Sequence, residues 1–184
     1  MEPRTDALLK DLLEAREGAF ERLYNQFAPK LLRTAYCITR RREDAEDAVQ
    51  DVFVAVVRAG AALAEVKNLN AYLFTAVHRA AARRAKERGS EEQIDAARIE
   101  DQRAGSSHDG EGERLARALQ HLPLEQRAVV SLKIDGGLTF DEIATSLNVS
   151  LNTAASRYRY ALEKLRTSMN AELQDMPAKG NANV

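Results

Sequence analysis

In the stretch RRREDAEDAVQDVF, Asp47, Gln50 and Asp51 fall on one side of a helix. Ala45, Val49, Val52, Phe53 and Val56 fall on the side that turns inward, and Val54 lies with the polar group. Carboxylates three to four residues apart can do acid–base work or hold a cation. More often such a stripe is simply a solvated face. No glycine-rich phosphate loop or nucleophile accompanies these acids. His78, His108 and His121 are scattered, with no ligand-like spacing to one another or to Cys37. The pattern therefore points away from an enzyme, a metal site or a cofactor, and towards a face that docks a protein.

A second constellation lies in TFDEIATSLNVSLNTAASRYRYALEKL. Thr139 and Glu142 have the spacing of a capping box, in which each side chain bonds the other's free backbone amide. Asn148-Val149-Ser150 reads as a turn, and a further helix follows to about Met169. Spacing assigns Leu151, Ala155, Tyr158, Leu162 and Leu165 to its buried stripe. Thr153, Ser156, Arg157, Tyr160 and Lys164 then face outward, with Arg159 on the flank. A capped short helix, a three-residue turn and a polar second helix make up a helix-turn-helix, whose outer face enters the major groove. There arginine donates to guanine, and Ser, Thr or Asn meets bases or phosphates. A helical hairpin with a solvated Arg/Tyr face has the same spacing. The basic run Arg79, Arg83, Arg84, Lys86 and Arg88 can neutralise phosphates. It also suits a solvated helix C-terminus.

The elements carrying these groups read as helices throughout. Phe20, Leu23, Tyr24 and Phe27 form an apolar stripe continued by Leu31, Ala35 and Ile38, with a kink or fresh start expected at Pro29. The RRREDAEDAVQDVF helix ends at Gly60, residues 60–70 form a connector, and another helix spans about 71–88. Leu115, Ala118, Leu119 and Leu122 open the last block, and a helix over 124–134 stops at Asp135-Gly136-Gly137. The formal net charge of −1 gives no argument for nucleic acid by itself. Its distribution is uneven: residues 1–88 hold 16 Lys/Arg against 13 Asp/Glu, 89–113 hold 2 against 8, and 114–184 hold 9 against 7. Two mildly basic modules are thus separated by an acidic, Gly/Ser-rich tether, with spacing that allows a short helical piece at 94–99. One cysteine excludes an internal disulfide. The charged start and the lack of a long apolar run give an expectation of a cytoplasmic protein without membrane insertion.

FERLYNQFAPKLLRTAYCITRRREDAEDAVQDVFVAVV resembles region two of a bacterial sigma factor, and LPLEQRAVVSLKIDGGLTFDEIATSLNVSLNTAASRYRYALEKLR resembles region four. In this order they are similar to the extracytoplasmic-function (ECF) type of the sigma-70 family, over roughly residues 15–88 and 113–168. The resemblance implies an all-α fold of two small helical domains: region two at 1–88 and region four at 114–184, joined by a flexible acidic linker at 89–113. It implies a protein that binds core RNA polymerase and directs it to promoter DNA through −10 and −35 elements, with no covalent chemistry. An anti-sigma factor is a usual further partner in the family. Asp47, Gln50, Asp51 and Phe53 match the polymerase-binding stretch. Lys67, Asn68, Asn70, Tyr72, His78, Arg79, Arg83 and Arg84 match the −10 surface, with the 60–70 connector as the loop that captures a flipped base. Ser150, Asn152, Thr153, Ser156, Arg157, Arg159 and Tyr160 match the −35 helix, with Arg157 and Tyr160 as the expected readers. Tyr72 stands where Trp is frequent, Arg79 where Asn is, Asn152 where Gly is, and Ala154-Ala155 where Val-Lys is. These departures bear on which promoter is read. A helix-turn-helix regulator acting without polymerase is the alternative, and it leaves the acidic face unused.

Overall fold

The computed structural model describes residues 3–92 and 118–174, and every regular element among them is helical. The N-terminal module comprises α1 (Pro3–Leu13), α2 (Ala19–Thr39), α3 (Arg42–Ala59), a 3-10 helix (Gly60–Glu65) and α4 (Leu69–Glu92). The C-terminal module comprises α5 (Leu124–Ile134), α6 (Phe140–Leu147) and α7 (Leu151–Gln174), preceded by helical residues 118–120. The expected helical piece at 94–99 and the body of the acidic tether lie outside the described residues. The tether's first residues, 89–92, belong to α4.

Leu23, Phe27, Leu31, Ala35 and Ile38 make α2 the spine of the N-terminal module, each almost fully buried. Burying a large apolar side chain contributes about 1.5–3 kcal/mol, so this stripe fixes how α2 sits against α3 and α4. Two expectations change here. Phe20 and Tyr24 are exposed rather than core. Pro29 neither breaks nor restarts the helix. Pro29 and Asn25 both face solvent, so water can bond the carbonyl that the proline's missing N–H leaves open. The helix ends at Arg40, whose backbone turns left-handed (φ 58°) while its N–H bonds the Tyr36 carbonyl. Chain direction then reverses into α3, with Glu43 and Asp44 in the first turn, where the helix dipole favours acids.

The 60–70 connector is ordered by Leu63, buried in the 3-10 turn, and by Asn68, whose Oδ1 accepts the Ala71 N–H at 3.1 Å and so starts α4. In the C-terminal module the capping box forms: Thr139 Oγ1 accepts the Glu142 N–H at 3.2 Å, and the Glu142 carboxylate accepts the Thr139 N–H at 2.8 Å. Asn148 closes α6 in the left-handed conformation, which asparagine tolerates. Ser150 Oγ then accepts the Thr153 N–H at 3.0 Å and caps α7.

The buried stripe of α7 is Ala154, Ala161 and Leu165, with Tyr158 half-buried between them and its ring edge-on to Phe140 at 5.5 Å. Leu151 and Leu162, expected inside, are exposed, and Ala155 is only half-buried. Spacing of four and three fits either register. The smaller alanines win because α7 lies close against α5 and α6.

The two modules pack directly on one another. α2 lies against α5, where Ser131 Oγ donates to Thr34 Oγ1 at 2.9 Å in the interior and Arg33 pairs with Asp135 at 2.9 Å. Leu69, Leu73 and Phe74 of α4 belong to the same buried core as Leu132, Leu138 and Ile143 of the C-terminal module. Where the sequence suggested two modules and a tether, the structure adds a built interface.

Candidate polymerase and nucleic-acid interfaces

The acidic face of α3 stands as expected, with Asp47 and Gln50 exposed and Asp51 half-buried. Its neighbours were not foreseen. Arg84 of α4 donates to Asp47 at 3.2 Å and to Asp51 at 2.8 Å, Arg83 donates to Asp51 at 3.2 Å, and Arg88 donates to Asp44 at 2.8 Å. The carboxylates matched to polymerase docking and two of the arginines matched to DNA therefore belong to one ion-pair network. The two solvent-exposed pairs, Arg83–Asp51 and Arg84–Asp47, contribute about 0–1 kcal/mol each and are readily exchanged for other partners, while Arg84–Asp51 and Arg88–Asp44 are partly buried.

Phe53 is buried, and its ring meets Phe20 at 5.9 Å and Tyr24 at 4.9 Å. It supports the outer surface from beneath. Phe20, Tyr24, Val54 and Val57 are the exposed apolar groups beside the acids. Sequence periodicity put Phe20 and Tyr24 in the core. The available signal was Val57, which has no place on the inward stripe of α3.

Of the residues matched to the −10 element, Lys67 and Arg79 are exposed, while Asn68, Asn70 and Tyr72 are half-buried. Asn68 Nδ2 donates to Glu142 of α6 at 2.6 Å, and Asn70 Nδ2 donates to the Gly136 carbonyl. Thr75 and Ser146 hydroxyls meet at 2.5 Å. Tyr72 and Arg79 line a cleft of about 310 Å³ that α4 forms with Asp141 and Thr145 of α6. His78 is mostly buried. Its Nδ1 has no hydrogen-bond partner, and burial, helped by the Arg79 charge, pushes its pKa down to about 4. It is neutral at physiological pH and brings no charge to a phosphate.

On α7, Asn152, Arg159 and Tyr160 are exposed, with the Arg159 guanidinium 5.2 Å from the centre of the Tyr160 ring. Arg157 sits on the flank, a quarter exposed and bonded to Glu125 of α5 at 2.7 Å. The order expected from spacing is thus reversed: Arg159 projects and Arg157 lies to the side. The hydroxyls of Ser150 and Thr153 bond one another at 2.8 Å, and Ser156 Oγ bonds the Thr153 carbonyl at 3.0 Å. Glu142 joins the capping box to the Asn68 amide. Burial opposes its charge, but the Thr139 and Asn68 bonds and Lys133 outweigh that, so its pKa lies below the usual glutamate value.

Among the described residues no group of three or more His, Cys, Asp or Glu is placed to hold a metal ion. No helix among them is long and apolar enough to cross a membrane.

Comparison with known proteins bears on both interfaces. The sigma-70 region 2 family model matches residues 23–91, and the sigma-70 region 4 model matches residues 112–165. The chain is 30% identical to the ECF RNA polymerase sigma factor SigK of Mycobacterium ulcerans, over 90% of this chain and 94% of that one. It is also 30% identical to the ECF sigma factor RpoE of Cereibacter sphaeroides, over 91% and 97%. The solved sigma factor RpoE in complex with the anti-sigma factor NepR, from Bartonella quintana, shares the fold. Its TM-score is 0.72 at 24% identity, covering 83% of this chain and 98% of that one. CnrH, solved with the cytosolic domain of CnrY, shares it at a TM-score of 0.63 and 22% identity, over 91% and 97%. With both sigma-70 regions matched in order and full-length relatives of one kind, the chain belongs to the ECF sigma factors of the sigma-70 family, which direct RNA polymerase to promoters.

Proposed function

We propose that the acidic face of α3, Asp47, Gln50 and Asp51 with exposed Phe20, Tyr24, Val54 and Val57, is where this sigma factor docks on core polymerase. Phe53 acts beneath it as a support. The 66–68 loop with the first turn and exposed side of α4, through Lys67, Asn68, Asn70, Tyr72 and Arg79, reads the −10 element, and Arg83 and Arg84 neutralise its phosphates. The start of α7 reads the −35 element through Asn152, Arg159 and Tyr160, while Arg157 holds α7 against α5. Residues 1–88 and 114–184 act as regions two and four, with 89–113 as the linker. The protein works in the cytoplasm, makes no covalent change to its partners, and is restrained by an anti-sigma factor, as the partners of the two solved relatives suggest.

The observation that carries this reading is the exposed acidic and aromatic face. A DNA-binding regulator acting alone has no use for it. Run-off transcription with purified core polymerase and a promoter library tests it. We expect a stable complex with core and initiation at a defined promoter subset. A chain that shifts promoter DNA alone but never joins core would sink it.

A further inference from the structure

We propose that α7 reads the −35 element through the C5-methyl groups of thymines, with Leu151 and Ala155 as the residues that meet them. This rests on the assignment of the start of α7 to the −35 element, and adds two side chains to it.

Spacing alone put Leu151 and Ala155 on the buried side of α7, and the structure turns both outward. Ala154 is fully buried and fixes the rotation of the helix, which leaves Leu151 50% exposed and Ala155 half-buried. Leu151 is the first residue of α7, directly after its cap, Ser150. A lone exposed leucine is ordinary on most surfaces. This one stands at the end of the helix that a helix-turn-helix inserts into the major groove.

Most polar groups at that end already have partners. The Ser150 and Thr153 hydroxyls bond one another at 2.8 Å, Ser150 Oγ also accepts the Thr153 N–H, and Ser156 Oγ donates to the Thr153 carbonyl at 3.0 Å. Arg157 is drawn to Glu125 at 2.7 Å. A base edge would have to break these bonds to be read by these groups. The side chains left facing outward without such bonds are Leu151, Asn152, Ala155, Arg159 and Tyr160.

Leu151 and Ala155 are one turn apart and so stand in line along the helix. One turn advances about 5.4 Å, between one and two base-pair steps of about 3.4 Å. The major groove offers an apolar side chain one matching feature, the thymine methyl, because the other groups that distinguish bases there are hydrogen-bond donors and acceptors. Two apolar side chains one turn apart therefore fit thymines one or two steps apart, on either strand. Burial of a methyl group releases no counterions, so this part of the reading is independent of salt.

The test uses assembled holoenzyme and a duplex fragment of the best promoter from the run-off selection. Each −35 thymine in turn is replaced with deoxyuridine, which removes the C5 methyl and leaves every hydrogen-bonding group in place. Fluorescence anisotropy reads equilibrium binding at two salt concentrations. We expect a loss of about fourfold at two positions, the worth of one buried methyl group at each, and the same loss at both salts. Deoxyuridine in the spacer should change nothing. Leu151→Ala should bind the thymine and deoxyuridine fragments alike at one of the two positions, and Ala155→Gly should do so at the other, with circular dichroism checking that helix content is kept. Leu151→Met, apolar and of similar volume, should keep the difference. Deoxyuridine tolerated at every −35 position, a selected element without A·T pairs, or a methyl effect that persists in full in either variant overturns the proposal. The underlying assignment is read separately, by replacing the whole −35 element with unrelated sequence. Unchanged binding there removes α7 as the −35 reader. A large loss there, with deoxyuridine tolerated throughout, removes the methyl contacts alone.

Discussion

Replacing Gly136 with alanine should cost far more than the loss of a turn glycine usually does. A Cβ at this position would stand 2.6 Å from the Leu132 carbonyl oxygen, 2.8 Å from Leu138 Cδ1 and 3.0 Å from Phe74 Cγ. The first is backbone at the end of α5, and it already accepts the Leu138 N–H at 3.2 Å. The other two belong to side chains that are 1% and 0% exposed. None can swing into solvent, so the helix end or the ring must move, and overpacking of this kind costs about 1–3 kcal/mol. With a backbone atom as the nearest obstacle, we expect the upper part of that range. Gly137 is a built-in control. Its φ of +62° strains any other residue, but a Cβ there meets only Asn70 Nδ2, at 4.0 Å. Gly137→Ala should therefore cost about 1 kcal/mol, from backbone alone. Urea denaturation followed by circular dichroism reads both. Adding Phe74→Leu to Gly136→Ala should recover only part of the excess, because the Leu132 oxygen remains. A Gly136→Ala cost below about 0.5 kcal/mol would refute the packing argument.

Asp51→Arg reverses the charge that both Arg83 and Arg84 bond, and it should abolish capture by immobilised core polymerase while helix content by circular dichroism is kept. Unchanged capture would remove α3 as the docking face. Arg159→Ala should lose roughly 1–3 kcal/mol of discrimination among −35 sequences, as expected when a base contact is removed. Arg157→Ala should instead weaken all promoters alike and lower thermal stability, since it breaks the Glu125 pair. The opposite pattern would restore Arg157 as the reader. His78 titrates near 4 in the folded chain against about 6.5 unfolded, so the unfolded chain takes up the proton first. Its contribution to stability is intact above about pH 6.5 and declines towards pH 4, by up to roughly 3 kcal/mol. His78→Gln should flatten the unfolding free energy across that window, and an unchanged slope would show that other groups dominate it.

Periodicity located α3 well because it carries an unbroken apolar stripe that Gly60 stops, and α5 was bounded by its own punctuation, Pro123 before it and Asp135-Gly136 after it. The Thr139–Glu142 box was legible for the same reason: a cap is local chemistry, set by residues three apart. Faces were harder. In α7 two registers of spacing compete, and a sequence cannot weigh Leu151 and Leu162 against Ala154 and Ala161 without knowing how closely α5 approaches. Phe20 and Tyr24 misled in the opposite direction, since aromatic residues on a helical period read as core whether they are buried or support an interface. The pairing of Arg84 with Asp47 and Asp51 spans more than thirty residues and depends on α3 and α4 lying side by side. Nothing in either helix alone announces it. The same holds for the module interface, where Thr34 and Ser131 are ordinary residues until they meet.

The network between α3 and α4 also has a consequence for ionic strength. Cations that bind a duplex normally release the polyanion's condensed counterions, and each contributes about 0.9 to the slope of log affinity against log salt. Arg83 and Arg84 carry counterions of their own, the fixed carboxylates of Asp47 and Asp51. In the free chain, the duplex must displace these carboxylates before it gains the arginines, so the salt slope should be shallower by about 2 than a count of basic residues suggests. If polymerase docks on these carboxylates, as proposed, the arginines are freed and the slope should steepen. The difference in slope between free chain and holoenzyme would then count the charges that polymerase hands over to the promoter.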